Sequence, residues 1–260
     1  MGLTFDRGEI RAKTERRAEV PDAVTFAIER LGFEPDERQA EVLRSDAKRG
    51  ILNCTRQWGK STTAAAKAVH RAFVKPRSLV LVATPTQRQS AEFIRKAGDF
   101  VSKLKIVPRG DGDNAISLLL PNGSRIVGLP GTESTVRGFS AVSLLLIDEA
   151  ARVEDAMYKA LRPMLAVGEG DLWLMSTPNG RRGFFYDTWE TGGAEWMRVT
   201  VPATECARIG AEFLEEEERT TGKMSFGQEY MCEFVDNGEM VFERGPVDAA
   251  FDGGVRVLGI

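Results

Sequence analysis

The run Ser143-Leu144-Leu145-Leu146-Ile147 has almost no polar interruption and stops abruptly at Asp148-Glu149. A short apolar run bounded by polar residues reads as a strand buried on both faces, the kind found inside a parallel sheet covered by helices. Ile51-Leu52, Ser78 to Ala83 and Asp171 to Met175 follow the same pattern, with helical periodicity between them. Strands alternating with helices build a largely parallel sheet with right-handed crossovers, so the expected class is α/β. Open sheets of this kind gather their ligands at the carboxyl ends of the strands, where Asp148 and Glu149 fall.

The stretch Asn53 to Thr62, N-C-T-R-Q-W-G-K-S-T, joins the first of these runs to an Ala-rich helical segment, Thr63 to Val69. A loop ending in Gly-Lys-Ser that opens a helix offers backbone N–H groups and a positive helix end to a polyphosphate. Lys60 is then expected to reach the β- and γ-phosphates and the Ser61 hydroxyl to hold Mg²⁺. The general pattern has a glycine where this chain has Cys54. Taken alone, the stretch reads equally well as a helix start with a solvated lysine. Combined with an acid pair at a later strand end, it reads as a nucleotide-hydrolysing site. Asp148 is expected to hold the metal through water, and Glu149 to orient and deprotonate an attacking water.

The rest of the 260 residues bounds this reading. Residues 1–20 form a polar arm, 21–200 the core, 201–250 a small helical subdomain and linker, and 251–260 the start of a further, truncated domain. Pro21 to Leu31 reads as a helix ended by Gly32, and the stretch Phe33 to Gln39 opens a second helix through Leu43. A helix from about Gln87 to Leu104 is followed by strands at Ala115 to Leu120 and Arg125 to Leu129. Pro121-Asn122-Gly123-Ser124 between them is a hairpin signal. A helix from Val153 to Leu165 is interrupted by Pro163, and Trp196 to Val201 reads as a strand. The Glu-rich stretch Ala211 to Thr221 reads as a helix with a solvated face.

Three scattered cysteines suit a reducing compartment, and a single histidine excludes a His-rich metal centre. A net charge of −3 argues against a generally basic nucleic-acid binder, so any such contact needs a local basic face. No apolar run reaches the roughly 18–20 residues of a membrane span, so no membrane partner is expected.

With these pieces in order, the chain resembles the large terminases, the DNA-packaging motor ATPases of tailed bacteriophages, over roughly Phe33 to Phe242. Gln39 stands where that family has an upstream glutamine. Arg56-Gln57-Trp58-Gly59-Lys60-Ser61-Thr62 follows its deviant Walker A loop, and Val136-Arg137-Gly138-Phe139 precedes the Walker B strand as the family pattern requires. Ser176-Thr177-Pro178-Asn179-Gly180 matches its coupling motif, followed by Phe184-Phe185-Tyr186. Phe226-Gly227-Gln228-Glu229-Tyr230 with Glu233-Phe234 is similar to the segment that joins ATPase core and nuclease.

The resemblance implies a P-loop NTPase of the additional-strand, catalytic-glutamate type, using ATP and Mg²⁺, with no nuclease activity expected from this stretch. It implies that Gln39 reads the adenine, that Arg56 contacts or senses the γ-phosphate, and that Gln57 to Thr62, Trp58 included, line the nucleotide. The ring of Trp58 is expected either over the nucleotide or in the core. Ser176, Thr177 and Pro178 would couple hydrolysis to movement, with Ser176 and Thr177 bonding Glu149 or the γ-phosphate. An arginine finger from a neighbouring subunit is expected from Arg88, Arg125 or Arg137. The implied partners are double-stranded DNA, a portal protein, a small terminase subunit and further copies in a ring, at the procapsid portal in the host cytoplasm. Arg181-Arg182 and Lys159 with Arg162 are the candidate DNA contacts. The competing reading is a superfamily-2-like DNA helicase or translocase ATPase. That calls for a second RecA-like domain, for which the roughly 110 residues after Glu149 leave little room.

Overall fold

The computed structural model describes residues 22–114, 116–129 and 138–235. The expected arm at 1–20, the expected start of a further domain at 251–260 and Arg137 lie outside these residues. Seven strands form one sheet: β1 (Arg49–Cys54), β2 (Leu79–Ala83), β3 (Ser117–Leu119), β4 (Arg125–Leu129), β5 (Leu144–Asp148), β6 (Asp171–Ser176) and β7 (Trp196–Val201). Their order is β3-β4-β2-β5-β6-β1-β7. Every pairing is parallel except β3 with β4, which the Pro121 to Ser124 turn makes a hairpin. Gly123 at φ 80° supplies the left-handed turn residue there.

Period-two alternation sorts the strand residues between two cores, one on each face. Leu52, Val80, Val82, Leu144, Leu146 and Trp173 point one way, to helices α1 (Ala23–Leu31), α2 (Glu37–Arg44), α3 (Lys60–Val74) and α4 (Gln87–Lys103). Ile51, Leu81, Leu145, Ile147, Leu172 and Leu174 point the other way, to α5 (Asp155–Leu161) and α6 (Gly183–Thr191). Both faces are therefore covered, which is why the runs read as continuously apolar.

The helix boundaries follow local chemistry. The Asp22 carboxylate accepts from Val24 N and starts α1, and Gly32 in the left-handed region ends it. Asp36 and Gln39 form a reciprocal capping box at α2. The expected Val153–Leu165 helix is shorter: α5 covers Asp155–Leu161, and Pro163 turns the remainder into a 3-10 segment, Arg162–Leu165. Past β7, α7 (Ala211–Thr221) buries none of its residues, as the Glu-rich face requires. α8 (Lys223–Glu229) then returns the chain to the sheet, where Ala203 N donates to Tyr230 O at 2.7 Å and the Asn53 amide to Cys232 O at 2.8 Å.

Candidate nucleotide-binding site

β1 ends at Cys54 and the chain turns through Arg56 to Gly59 into α3. Gln57 and Gly59 carry the positive φ values, 64° and 99°. Cys54 is still extended strand, fully buried, so the backbone freedom of a glycine is not needed there. Gly59 is different: a Cβ on it would lie 3.0 Å from the Gln39 amide, so that position needs both the left-handed φ and the missing side chain. As the cap of α3 it makes no side-chain cap bond, so the amide groups of the first turn are presented to the cleft.

Lys60 is folded onto the loop. It is 6 % exposed, and its Nζ donates to Cys54 O at 2.8 Å and Thr55 O at 2.9 Å. This holds the loop in a ring around the ammonium and leaves its third N–H for an anion. Ser61 Oγ donates to Asp148 Oδ2 at 2.6 Å, which joins the start of α3 to the end of β5 across the sheet. Burial, and then the neighbouring Glu149 carboxylate, push the Asp148 carboxyl above its ordinary range; the Ser61 hydrogen bond works against that shift.

Hydroxyl and carboxylate oxygens suit Mg²⁺, and among the described residues there is no cluster of three metal-ligating side chains. Mg²⁺ is commonly held by one or two protein oxygens and completed by phosphates and water. Ser61 and Asp148 fit that role.

Glu149 sits at φ 54°, ψ 42°, a left-handed conformation unusual for a non-glycine residue and typical of functional turns. Its N–H donates to Asp148 Oδ1 at 3.1 Å and its carboxylate accepts from Arg152 at 3.2 Å. Arg56, Gln57, Gly59, Lys60, Ser61, Thr62 and Glu149 thus border one cleft of about 520 Å³. Gln89 and Lys96 from α4, and Arg152 and Arg208, complete it; none of these four was expected from the sequence. Arg152 had a usable signal, since it lies three residues beyond Glu149 in a tight turn. Arg208 had none, because only the fold brings it to the loop.

The remaining expected residues fall as follows. Gln39 is buried beside the loop: its Oε1 accepts from Asp36 N at 3.0 Å and its Nε2 donates to Trp58 O at 2.8 Å. Both ends of the carboxamide are therefore taken by the chain itself. The Trp58 side chain is 1 % exposed and packs in the core, so of the two expected places for its ring the core holds; Arg208 joins Gln39 on its carbonyl. Thr177 Oγ1 accepts from Arg152 at 3.0 Å and lies 3.4 Å from Glu229 Oε2, so it meets Glu149 through Arg152 and not directly. Ser176 is wholly buried, with no hydrogen-bond partner for its Oγ among the described residues, and Pro178 is buried beside it. Arg88 is exposed at the start of α4, one residue before Gln89, which lines the cleft. Arg125 opens β4 at the opposite end of the sheet, paired with Asp111 at 3.4 Å.

β6 lies between the strand that feeds the loop and the strand that ends in the acid pair, the additional-strand order the sequence led us to expect. Solved structures share this architecture. The chain is 24 % identical to the Thermus phage P74-26 large terminase ATPase domain, with TM-score 0.72 over 80 % of this chain and 97 % of that one. It is 12 % identical to the large terminase of the thermophilic bacteriophage D6E in complex with ADP, with TM-score 0.66 over 76 % of this chain and 53 % of that one. Among curated proteins it is 28 % identical to the terminase large subunit of Thermus phage G20c, over 83 % of this chain and 52 % of that protein. The chain thus spans about half the length of the curated relatives it matches. The family model for the N-terminal part of the terminase large subunit, T4likevirus type, matches residues 51–245, and by that match this P-loop NTPase belongs to the terminase large subunit family.

Proposed function

We propose that this chain is an ATP-hydrolysing motor domain that drives double-stranded DNA into a procapsid. The observation that carries the reading is the junction of loop and acid pair: Ser61 bonded to Asp148 at 2.6 Å, with Lys60 and Glu149 on either side of one cleft. The α3 amides and Lys60 would hold the phosphates, and Ser61 with Asp148 would hold Mg²⁺, which neutralises charge on the β- and γ-oxygens when bound. Glu149 would accept a proton as a water oxygen attacks the γ-phosphorus and the bond to the β-phosphate oxygen breaks, giving ADP and phosphate. Arg56 and Arg152 line the wall beside it and suit the charge that spreads over the γ-oxygens. ADP bound to the D6E large terminase supports a nucleotide in the corresponding fold.

Translocation, a ring of copies, a trans-acting arginine, a portal protein and a small terminase subunit belong to the same proposal, as does action at the procapsid portal in the host cytoplasm. No helix among the described residues is long and apolar enough to cross a membrane. Of the arginine candidates, Arg88 is exposed and precedes Gln89, a cleft residue, in the chain. For DNA, the groove of about 480 Å³ bordered by Arg49, Lys159 and Arg162 also carries Asp155, Asp187 and Glu195, which offset its charge. Arg181 and Arg182 are exposed. The direct test is steady-state ATP hydrolysis with Glu149→Gln as the comparison. Loss of the carboxylate should lower turnover at least about 10²-fold while nucleotide affinity stays within a few-fold. Equal turnover by wild type and variant would remove Glu149 from the mechanism.

A further inference from the structure

Glu229, the last residue of α8, touches three separate parts of the site. Its Oε2 accepts from Arg56 Nε at 2.6 Å, its Oε1 accepts from Arg152 Nη2 at 2.9 Å, and Thr177 Oγ1 stands 3.4 Å from Oε2. Arg56 belongs to the phosphate loop, Arg152 to the turn after β5 and Thr177 to the end of β6. One carboxylate, from a segment more than 50 residues downstream of Thr177, therefore ties together the loop, the catalytic acid's neighbour and the coupling motif.

The placement has a direction. Both arginines line the cleft and Glu229 does not, so the carboxylate stands behind them. Holding a guanidinium through Nε fixes its plane and presents the terminal Nη groups to a second acceptor. The Arg56 side chain is 59 % exposed, and an ion pair that open to solvent contributes little to stability. What the pair does supply is orientation. Arg152 meets both Glu229 and Glu149, so the charges of the cluster balance, and what the arrangement turns toward the cleft is the planar Nη fork of Arg56, which can take a phosphate.

We propose that Glu229 is a positioning residue: it sets the Arg56 guanidinium, with Arg152 beside it, against the terminal phosphate of a bound nucleoside triphosphate. Through it α8 is tied to the presence of that phosphate. The inference rests on the nucleotide reading above and adds to it the residue that discriminates triphosphate from diphosphate.

The test is calorimetric binding of Mg²⁺–ATPγS and Mg²⁺–ADP to the full chain as wild type, Glu229→Gln, Arg56→Ala and the double variant. Glu229→Gln should weaken ATPγS about tenfold and leave ADP within about twofold, since only the former carries the γ-phosphate. In the Arg56→Ala background the same change should add less than about twofold, because it acts through that arginine. Parallel loss of both nucleotides, no change in either, or tighter ATPγS binding would each overturn the proposal, the last by showing that Glu229 competes with the phosphate. Should Glu229→Gln not fold, Glu229→Asp replaces it, with a smaller loss confined to ATPγS expected and an equal effect on both nucleotides refuting. A wild-type chain that binds neither nucleotide would instead refute the nucleotide reading itself.

Discussion

At the scale of single residues, the chain places charge where water is scarce and satisfies it with main-chain carbonyls. Lys60 does this in the phosphate loop, and Lys67 does it about two turns further along α3. Lys67 is 7 % exposed, donates to Val42 O at 3.0 Å and Ser45 O at 3.1 Å, and lies 4.4 Å from the Trp173 ring centroid. Burial, then the nearby Arg71 charge, lower its pKa from 10.5 to about 8. The folded value is the lower one, so between about pH 8 and 10.5 the unfolded chain binds more protons, and stability rises with pH across that window. The denaturation midpoint of wild type should therefore climb relative to Lys67→Met over that window and run parallel to it below pH 8. A constant difference throughout would show that Lys67 keeps its ordinary affinity for a proton. Lys60, Ser61, Asp148 and Glu149 were legible because their chemistry depends on spacing along the chain. Arg152 and Glu229 matter through what they touch, and a contact between residues 149–152 and 229 has no local signature.

At the scale of elements, the parallel pairing of β1 with β6 puts Gly50 opposite Trp173. A Cβ at Gly50 would lie 2.3 Å from the indole ring, so the strand has no side chain there because the ring occupies the space. Gly50→Ala should cost about 1–3 kcal/mol in chemical denaturation, with a change in Trp173 emission, because the ring must shift within a packed core. A variant within 0.5 kcal/mol of wild type would mean that the ring moves freely. The capping box at α2 shows a second use of a local motif. Gln39 completes the cap and also reaches Trp58 O, so the start of one helix steadies the loop before another. The cap is a local arrangement of Asp36 and Gln39; the second contact, 19 residues away, came from the fold.

At the scale of the whole molecule, the three arginines that line the cleft are already engaged within the chain, Arg56 and Arg152 with Glu229 and Arg208 with Trp58 O. If a neighbouring copy supplies a further arginine, ATP turnover per chain should climb with protein concentration. The measurement is specific activity across a dilution series, with Glu149→Gln subtracted. A flat and substantial rate would mean that each chain is complete alone. A finger acting in trans is worth about 10³–10⁵ in rate in enzymes of this general type, so the rise should be easy to resolve.

What the sequence determined by itself was local: short apolar runs buried on both faces, the first two helices, the glycine turns and the two motifs. Period-two and helical spacing act over a few residues, and so does the loop that wraps a phosphate. The exact limits of β7 and α7 were readable for the same reason. What only the tertiary structure decided was which of these pieces meet. The sheet order sets β6 between β1 and β5, the return of α8 sets Glu229 behind two arginines, and packing sends the Trp58 ring into the core. Those outcomes come from burying apolar area and pairing charge across distant segments, and no short stretch of chain contains that information.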